Sequence, residues 1–360
     1  MRALTILLSI ILPFLTLELQ AQTSSEKLIK EGVSMHDKGN YEGAIKLYKE
    51  ALKVNPTSMS AVYEMSLSYL RMKEYDEALK YSSQVIEHDF QPLLMDAYVV
   101  KSTALAETKK MDEAVTLLEE AITRCGETYL LCFNMGLCYY NKKEIDRAIN
   151  YLQRAIEIDA THSSAFLLYA YALNDADKWL QSFYSFHFFL LLEPNTARAK
   201  DAFSEMYDLI SVELPDGSPR LEAVNGINRH ELYKALQRLI PQSDSLREKS
   251  EFFEKASQLI FFNLSNLQTE GRADLLWSFF VPVYSELLKS GHFDTYSKYV
   301  GVSYFPESLE WWESNKDKVD DFIDWFENGD SDLDEDEDSQ FEDGPYDQLL
   351  EGEEDESDLD

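Results

Sequence analysis

The sequence is poor in the residues that would announce chemistry. Its six histidines are His36, His88, His162, His187, His230 and His292, and no two stand at a metal-ligand spacing. There is no HExxH, no CxxC, no Walker loop and no G-x-S-x-G. These absences weigh against a metal centre, a bound cofactor and nucleophilic catalysis, so no metal, cofactor or catalytic residue is expected. Only three cysteines occur, Cys125, Cys132 and Cys138. Cys132 and Cys138 share an expected helix about 9 Å of rise apart, too far to bridge. Either Cys125 pairs with Cys132 across a loop, or all three are buried thiols acting as small apolar residues.

Positive charge is scarce as well. The net charge is −33, which argues against nucleic acid and anionic membrane as partners. Eighteen acidic residues and no basic one fall between Glu327 and Asp360. That tail, 328–360, is too poor in apolar residues to offset its ordering entropy and is expected to be disordered. Its Tyr346, Leu349 and Leu350 offer an internal ligand, which the acidity of the rest of the chain opposes. Its run from Asp330 fails as an EF-hand loop, because Glu335 stands where Gly is needed and Phe341 where Glu is needed.

Long hydrophobic runs are absent beyond the first residues. Residues 1–21 have Arg2, an apolar stretch from Ala3 to Leu17 and a small residue at Ala21, the pattern of a secretory signal. The stretch is short for a membrane span and contains Pro13. The expectation is a cleaved signal, a periplasmic or secreted address, and no membrane insertion after cleavage.

What the sequence does have is a period. The stretch Glu26 to Thr57 reads as two helices around a Gly39-Asn40 turn, with Tyr41, Ala44, Tyr48 and Ala51 on one face of the second and Pro56 after it. The Ala44 position recurs as Ala78, Ala114, Ala148 and Ser182, at intervals of 34, 36, 34 and 34 residues. The Gly32 position recurs at the same intervals as Ser66, Ser102, Gly136 and Ala170, and Tyr41 as Tyr75, Met111, Ile145 and Trp179. Small residues at two positions let paired helices approach closely.

A 34-residue helical hairpin marked by Gly32, Tyr41, Ala44, Tyr48, Ala51 and Pro56 resembles the tetratricopeptide repeat. The fifth unit departs most, with Ser182 and Phe189 where alanine is usual. The resemblance implies an all-α solenoid of five hairpins over 22–196, with repeats at 25–58, 59–92, 95–128, 129–162 and 163–196. The two extra residues fall near Gln91 and Pro92. A capping helix at 197–214, a linker at 215–228 and a helical, aromatic-rich module at 229–327 complete the plan. Its helices are expected at 229–240, 245–267, 273–289, 293–300, 307–314 and 316–327, with Asn228 and Asp244 as N-caps and Pro282 kinking its helix or delaying its start.

The resemblance also implies a binding role. Positions five and nine of the first helices line the concave face in this family. Here they are Ile29, Val33, Tyr63, Leu67, Val99, Thr103, Phe133, Leu137, Leu167 and Tyr171. Of these, Tyr63, Leu67, Val99, Phe133, Leu137, Leu167 and Tyr171, with Tyr140, form the candidate partner-binding groove. The row is apolar, and it equally serves to pack neighbouring helices. The expected partner is another protein or an apolar peptide segment, bound with little dependence on salt. Repeats four and five carry apolar residues on faces that stacked neighbours do not reach. The second helix of repeat five holds Phe183, Tyr184, Phe186, Phe188 and Phe189 around His187, which reads as a core residue. The aromatic module is expected to fold back on the concave side of repeats four and five. The competing reading is an enzyme or ligand-binding protein with its site in that module.

Overall fold

The computed structural model describes residues 22–212, 218, 220, 228–240, 245–267 and 274–328. The signal-like residues 1–21, most of the linker and the acidic tail lie outside them. Every regular element among the described residues is helical. The chain divides into two compact units, residues 1–144 and 145–360.

The first unit begins with α1 (22–36) and α2 (Tyr41–Val54), then α3 (Met59–Arg71), α4 (Tyr75–Glu87), α5 (Leu94–Glu107), α6 (Met111–Cys125) and α7 (Tyr129–Asn141). The side-chain oxygens of Asn40, Ser58 and Thr128 accept the first free backbone N–H groups of α2, α3 and α7. The two extra residues before α5 are absorbed in a 3-10 turn, Gln91–Leu93. Each helix packs on the next along α2 to α7, and the first helices α3, α5 and α7 also stand side by side.

The turn within each hairpin shows the period in the backbone. Gly39, Lys73, Lys109 and Lys143 all adopt the left-handed conformation, at φ 74°, 59°, 61° and 61°. Two hydrogen bonds lock each turn, as in Lys109 N to Ala106 O at 2.9 Å and Lys110 N to Leu105 O at 2.8 Å. Only the first turn uses glycine; the other three place an L side chain in a strained region. Asp177 occupies the same position in the fifth hairpin, at φ 57°.

Ala44, Ala78, Ala114 and Ser66 are completely buried, and Ser102 nearly so. The need for a small residue is plainest at Gly32. A Cβ there would lie 2.3 Å from Cε1 of Tyr48, whose ring covers it. Cys125, Cys132 and Cys138 are free thiols, the latter two buried. Burial pushes Cys132 up to about 11. They pack as small apolar residues, and the Cys125–Cys132 bridge does not form.

The second unit holds α8 (Ile145–Ile158), α9 (Ser163–Asp175), α10 (Trp179–Leu192) and α11 (Ala197–Ser211). It continues with α12 (Arg229–Gln237), α13 (Leu246–Ser265), α14 (Val281–Ser290), α15 (Phe293–Val300), α16 (Pro306–Ser314) and α17 (Lys316–Asn328). The serines that replace small apolar residues in α10 satisfy their hydroxyls across the hairpin. Ser182 donates to Ala170 O and Ser185 to Phe166 O, each at 2.8 Å. Arg220 ties the start of the linker to repeat five. Its carbonyl accepts from Trp179 Nε1 at 2.9 Å, and its guanidinium reaches Asn174 Oδ1 at 2.7 Å.

The module starts as the sequence suggests, with Asn228 Oδ1 accepting from Glu231 N at 3.2 Å. At α13 the N-cap position falls to Ser245, whose side chain does not cap the helix, and Asp244 lies outside the described residues. Pro282 sits in the first turn of α14, preceded by a π-helical stretch, Leu276–Phe280. Proline has no N–H to give, and the wider π turn accommodates the lost bond. Gly291, at φ 82°, ends α14 and sets up α15 as its hairpin partner.

This module covers the apolar second helix of repeat five. Phe183 and Tyr184 meet Phe261 with ring centroids 6.2 and 5.1 Å apart. Phe188 meets Phe279 at 4.9 Å, and Phe166 of α9 meets Phe279 at 6.0 Å. His187 is wholly buried, with Nδ1 2.6 Å from the Tyr296 hydroxyl and Nε2 3.3 Å from Ser257 Oγ. Burial holds its pKa well below the usual imidazole range, so it is neutral. The docking face differs from the expected one. The module packs on α10 and Phe166, whereas Tyr171 turns to Phe186, 5.3 Å away. Helix α10 is apolar on every side, so it needs cover that α9 and α11 do not supply.

Both the turns and the cover can be tested. Gly39→Ala should lower stability by about 1 kcal/mol, since its Cβ meets nothing and only φ opposes it. Lys109→Gly should raise stability by about 0.5 kcal/mol, the left-handed strain relieved less the unfolded-state entropy gained. Urea melts of both variants check this. A chain ending at Val212 uncovers Phe183, Tyr184 and Phe188, and should bind a hydrophobic dye or self-associate. If it stays monomeric and dye-silent, the module is not the cover.

Candidate functional site

The sequence-derived groove residues fall in both units, and each set is described within its own. In the first unit Tyr63, Leu67 and Tyr140 are half-buried, as are Ile29 and Val33 of α1. Val99, Phe133 and Leu137 are buried, as is Thr103. In the second unit Leu167 is buried and Tyr171 half-buried. Within the first unit the accessible part of the row therefore lies at α1 and α3.

Each residue has a packing job too. Ile29 and Val33 lie against the cluster of Ala44, Ile45, Tyr48, Ala51, Ala61 and Met65. Tyr63 and Leu67 lie against Leu70, Ala78, Val100 and Ala104. Thr103 Oγ1 donates to Val99 O at 2.9 Å and lies 3.5 Å from Asn134 Oδ1, while Asn134 Nδ2 donates to Leu130 O at 2.9 Å. That pair joins α5 to α7 and satisfies the one clearly polar side chain of α7.

The lining is not uncharged. Glu64 follows Tyr63, about 100° further around α3. It is half-buried, and burial, then the charges of Asp37 and Asp96, push its pKa up to about 7. Asp96, in the first turn of α5, is half-buried and also raised by burial, although its own backbone N–H works against the shift. Asp37 follows α1 and shares His36 as a neighbour with Arg71. Burial and Arg71 hold His36 below its usual range, and its Nδ1 lies 2.8 Å from Ser68 Oγ. Asp37, Glu64 and Asp96 come from the ends or faces of three successive first helices, and the charges of Asp37 and Asp96 act on Glu64. Reading only positions five and nine missed them; Glu64 at position six was the available signal. Among the described residues no group of three or more His, Cys, Asp or Glu side chains is placed to hold a metal ion.

Where the module meets α10, Tyr284 and Tyr296 lie beside His187, and Tyr184 lies beside Tyr284. Burial raises all three tyrosine hydroxyls far above their usual range.

The hairpins, their small-residue contacts and their left-handed turns define the class of the fold: all-helical hairpins that resemble tetratricopeptide repeats. Comparison supports that reading at the level of the repeat. The tetratricopeptide-repeat family model matches residues 129–162. The model for the anaphase-promoting complex, cyclosome, subunit 3, matches residues 37–121. Among curated proteins, a BBSome complex member of Bos taurus is 26% identical over 118 residues, 33% of this chain and 22% of its own length. A TPR repeat-containing protein of Methanocaldococcus jannaschii is 23% identical over 129 residues, 36% of this chain and 22% of its own. The chain thus spans about a fifth of the length of the curated relatives it matches. Among solved structures, pilF of Pseudomonas aeruginosa is 19% identical with a TM-score of 0.47, covering 65% of this chain and 98% of that one. A thermophilic TPR protein of Thermus thermophilus is 18% identical with a TM-score of 0.45, covering 52% and 100%. No helix of the described residues is long and apolar enough to cross a membrane.

The raised Glu64 pKa has a consequence for stability. An acid that holds its proton more tightly when folded stabilises the native state as pH falls from about 7 toward the unfolded carboxyl value of about 4.3. Above pH 7 its ionised form is a cost. Glu64→Gln should therefore be more stable than the parent at pH 8, by about 1–2 kcal/mol after allowance for solvent screening. The gap should close near pH 4.5. Paired thermal melts at the two pH values check the sign.

Proposed function

We propose that the chain is an exported scaffold that binds a segment of another protein along the first-helix face of its N-terminal unit. Tetratricopeptide-repeat proteins in general are interaction scaffolds, and the stacked first helices α3, α5 and α7 form such a face here. The observation that carries the reading is the half-buried row of Ile29, Val33, Tyr63 and Leu67, apolar side chains held by the core yet still reaching solvent. A partner residue laid on them gains apolar burial without any rearrangement of the array. The signal-like start of the sequence supports export to the periplasm or exterior, and the acidic surface supports a partner that is neither nucleic acid nor anionic lipid.

The test is affinity capture from the native envelope fraction with the full chain, set against Leu67→Asp and Val33→Asn. Both variants should keep the parent's circular dichroism and lose the captured protein by tenfold or more. Equal capture by folded variants would remove this face from the function.

A further inference from the structure

We infer that Gln22 is a modification site: once residues 1–21 are removed, its α-amine closes on its own side-chain amide, and the mature chain begins with a pyroglutamyl ring at the head of α1. This rests on the export part of the reading above and adds a covalent step to it. The small residue at Ala21 places the expected cleavage before Gln22. A glutamine that becomes N-terminal carries both reacting groups. Its amine nitrogen attacks Cδ, and a C–N bond forms to close a lactam ring. The Cδ–Nε2 bond breaks, and the proton lost from the amine leaves with Nε2 as ammonia. No oxidant, reductant or co-substrate enters, so the step needs only the new terminus.

The surroundings of Gln22 permit the closure. The residue is exposed, as are Thr23 and Ser24. Its Nε2 donates to Glu26 Oε1 at 3.0 Å, a bond between two exposed side chains. Nothing buried has to move for Cδ to swing back to the amine. The helix beneath is nevertheless held. Ser25, in the same turn, is buried, and its Oγ donates to Ala51 O of α2 at 3.2 Å. Leu28 and Ile29 follow on α1 and pack against the cluster of Ala44, Ile45, Tyr48 and Ala51. Helix α1 is thus anchored from its first turn.

That anchoring gives the ring a physical consequence. With residues 1–21 gone, Gln22 is both the first residue of the chain and the first of α1. A free α-ammonium there adds positive charge where the aligned peptide dipoles already place about half a positive charge. The lactam is neutral and removes that repulsion. It also lacks the amine that aminopeptidases recognise. The helix that carries Ile29 and Val33 is thereby guarded from trimming at its exposed end.

The test recovers the full chain from the native envelope fraction and reads its N-terminal peptide by tandem mass spectrometry. The peptide should begin at residue 22, weigh one ammonia less than the unmodified sequence, and release its first residue to pyroglutamyl aminopeptidase. An isotope-labelled synthetic peptide of the same N-terminus, added at lysis, should stay open. A chain that begins at residue 22 with a free amine, or at a later residue, overturns the modification and keeps the export reading. Ring closure in the labelled peptide to the same extent as in the chain also overturns it, because the ring is then a product of handling. A chain that keeps residues 1–21 overturns both. Gln22→Asn supplies a second readout, since its side chain is one methylene too short to close the same ring. Recovered from the same envelope, the variant should lose N-terminal residues to added aminopeptidase while the parent does not. Equal trimming of the two overturns the proposal.

Discussion

Close approach of paired helices is the constraint that everything else here serves. Two side chains facing each other across a hairpin cannot both be large, because interaxial distance is set by what lies at the contact. Gly32 shows the limit: the Tyr48 ring occupies the space its Cβ would need. Where the second partner becomes serine, at Ser182, the hydroxyl donates to Ala170 O and the helices still close. The hairpin geometry then fixes the turn. The residue after each first helix must be left-handed, whether it is Gly39 or Lys109. With the hairpins fixed, the first helices stand side by side, and residues one or two turns apart on each fall into a common face.

Repeat five shows what happens when that plan meets an all-apolar helix. Helix α10 buries residues on every side, including His187. An interior histidine loses the hydration of its ring, which bonds to the Tyr296 hydroxyl and Ser257 Oγ partly replace. The surrounding aromatic pairs each add about 0.5–1.5 kcal/mol beyond area burial. The module cannot be an independent appendage, because its rings and those of α10 are one another's interior.

Much of this was legible in the residues. Two small positions keeping one period sufficed for the hairpins, since no other packing needs both. The module's helices were legible for the same reason, as apolar periodicity and Asn228 marked them. The left-handed turns at Lys73, Lys109 and Lys143 were not, because lysine carries no backbone signature and tertiary closure imposes the conformation. The binding face was the least legible part. Apolar identity does not say whether Val99 and Phe133 face a partner or the helix beside them, and both turn out buried. Nor does the family's position scheme flag Glu64, whose unusual state arises from burial and from Asp37 and Asp96, far away in sequence.

The face and the charge of the whole chain act over different distances. A net charge of −33 attracts basic partners from afar but fades within a Debye length of about 8 Å at physiological salt. It sets encounter rates and gives no address. Glu64 acts at short range, where withdrawal from water makes its charge costly. The same sign at both ranges opposes one obvious occupant. The acidic tail carries Tyr346, Leu349 and Leu350 that would suit an apolar trough, but each step toward Glu64 and Asp96 brings like charges together. An acidic array is thereby a poor host for an acidic tail, whatever apolar side chains that tail carries.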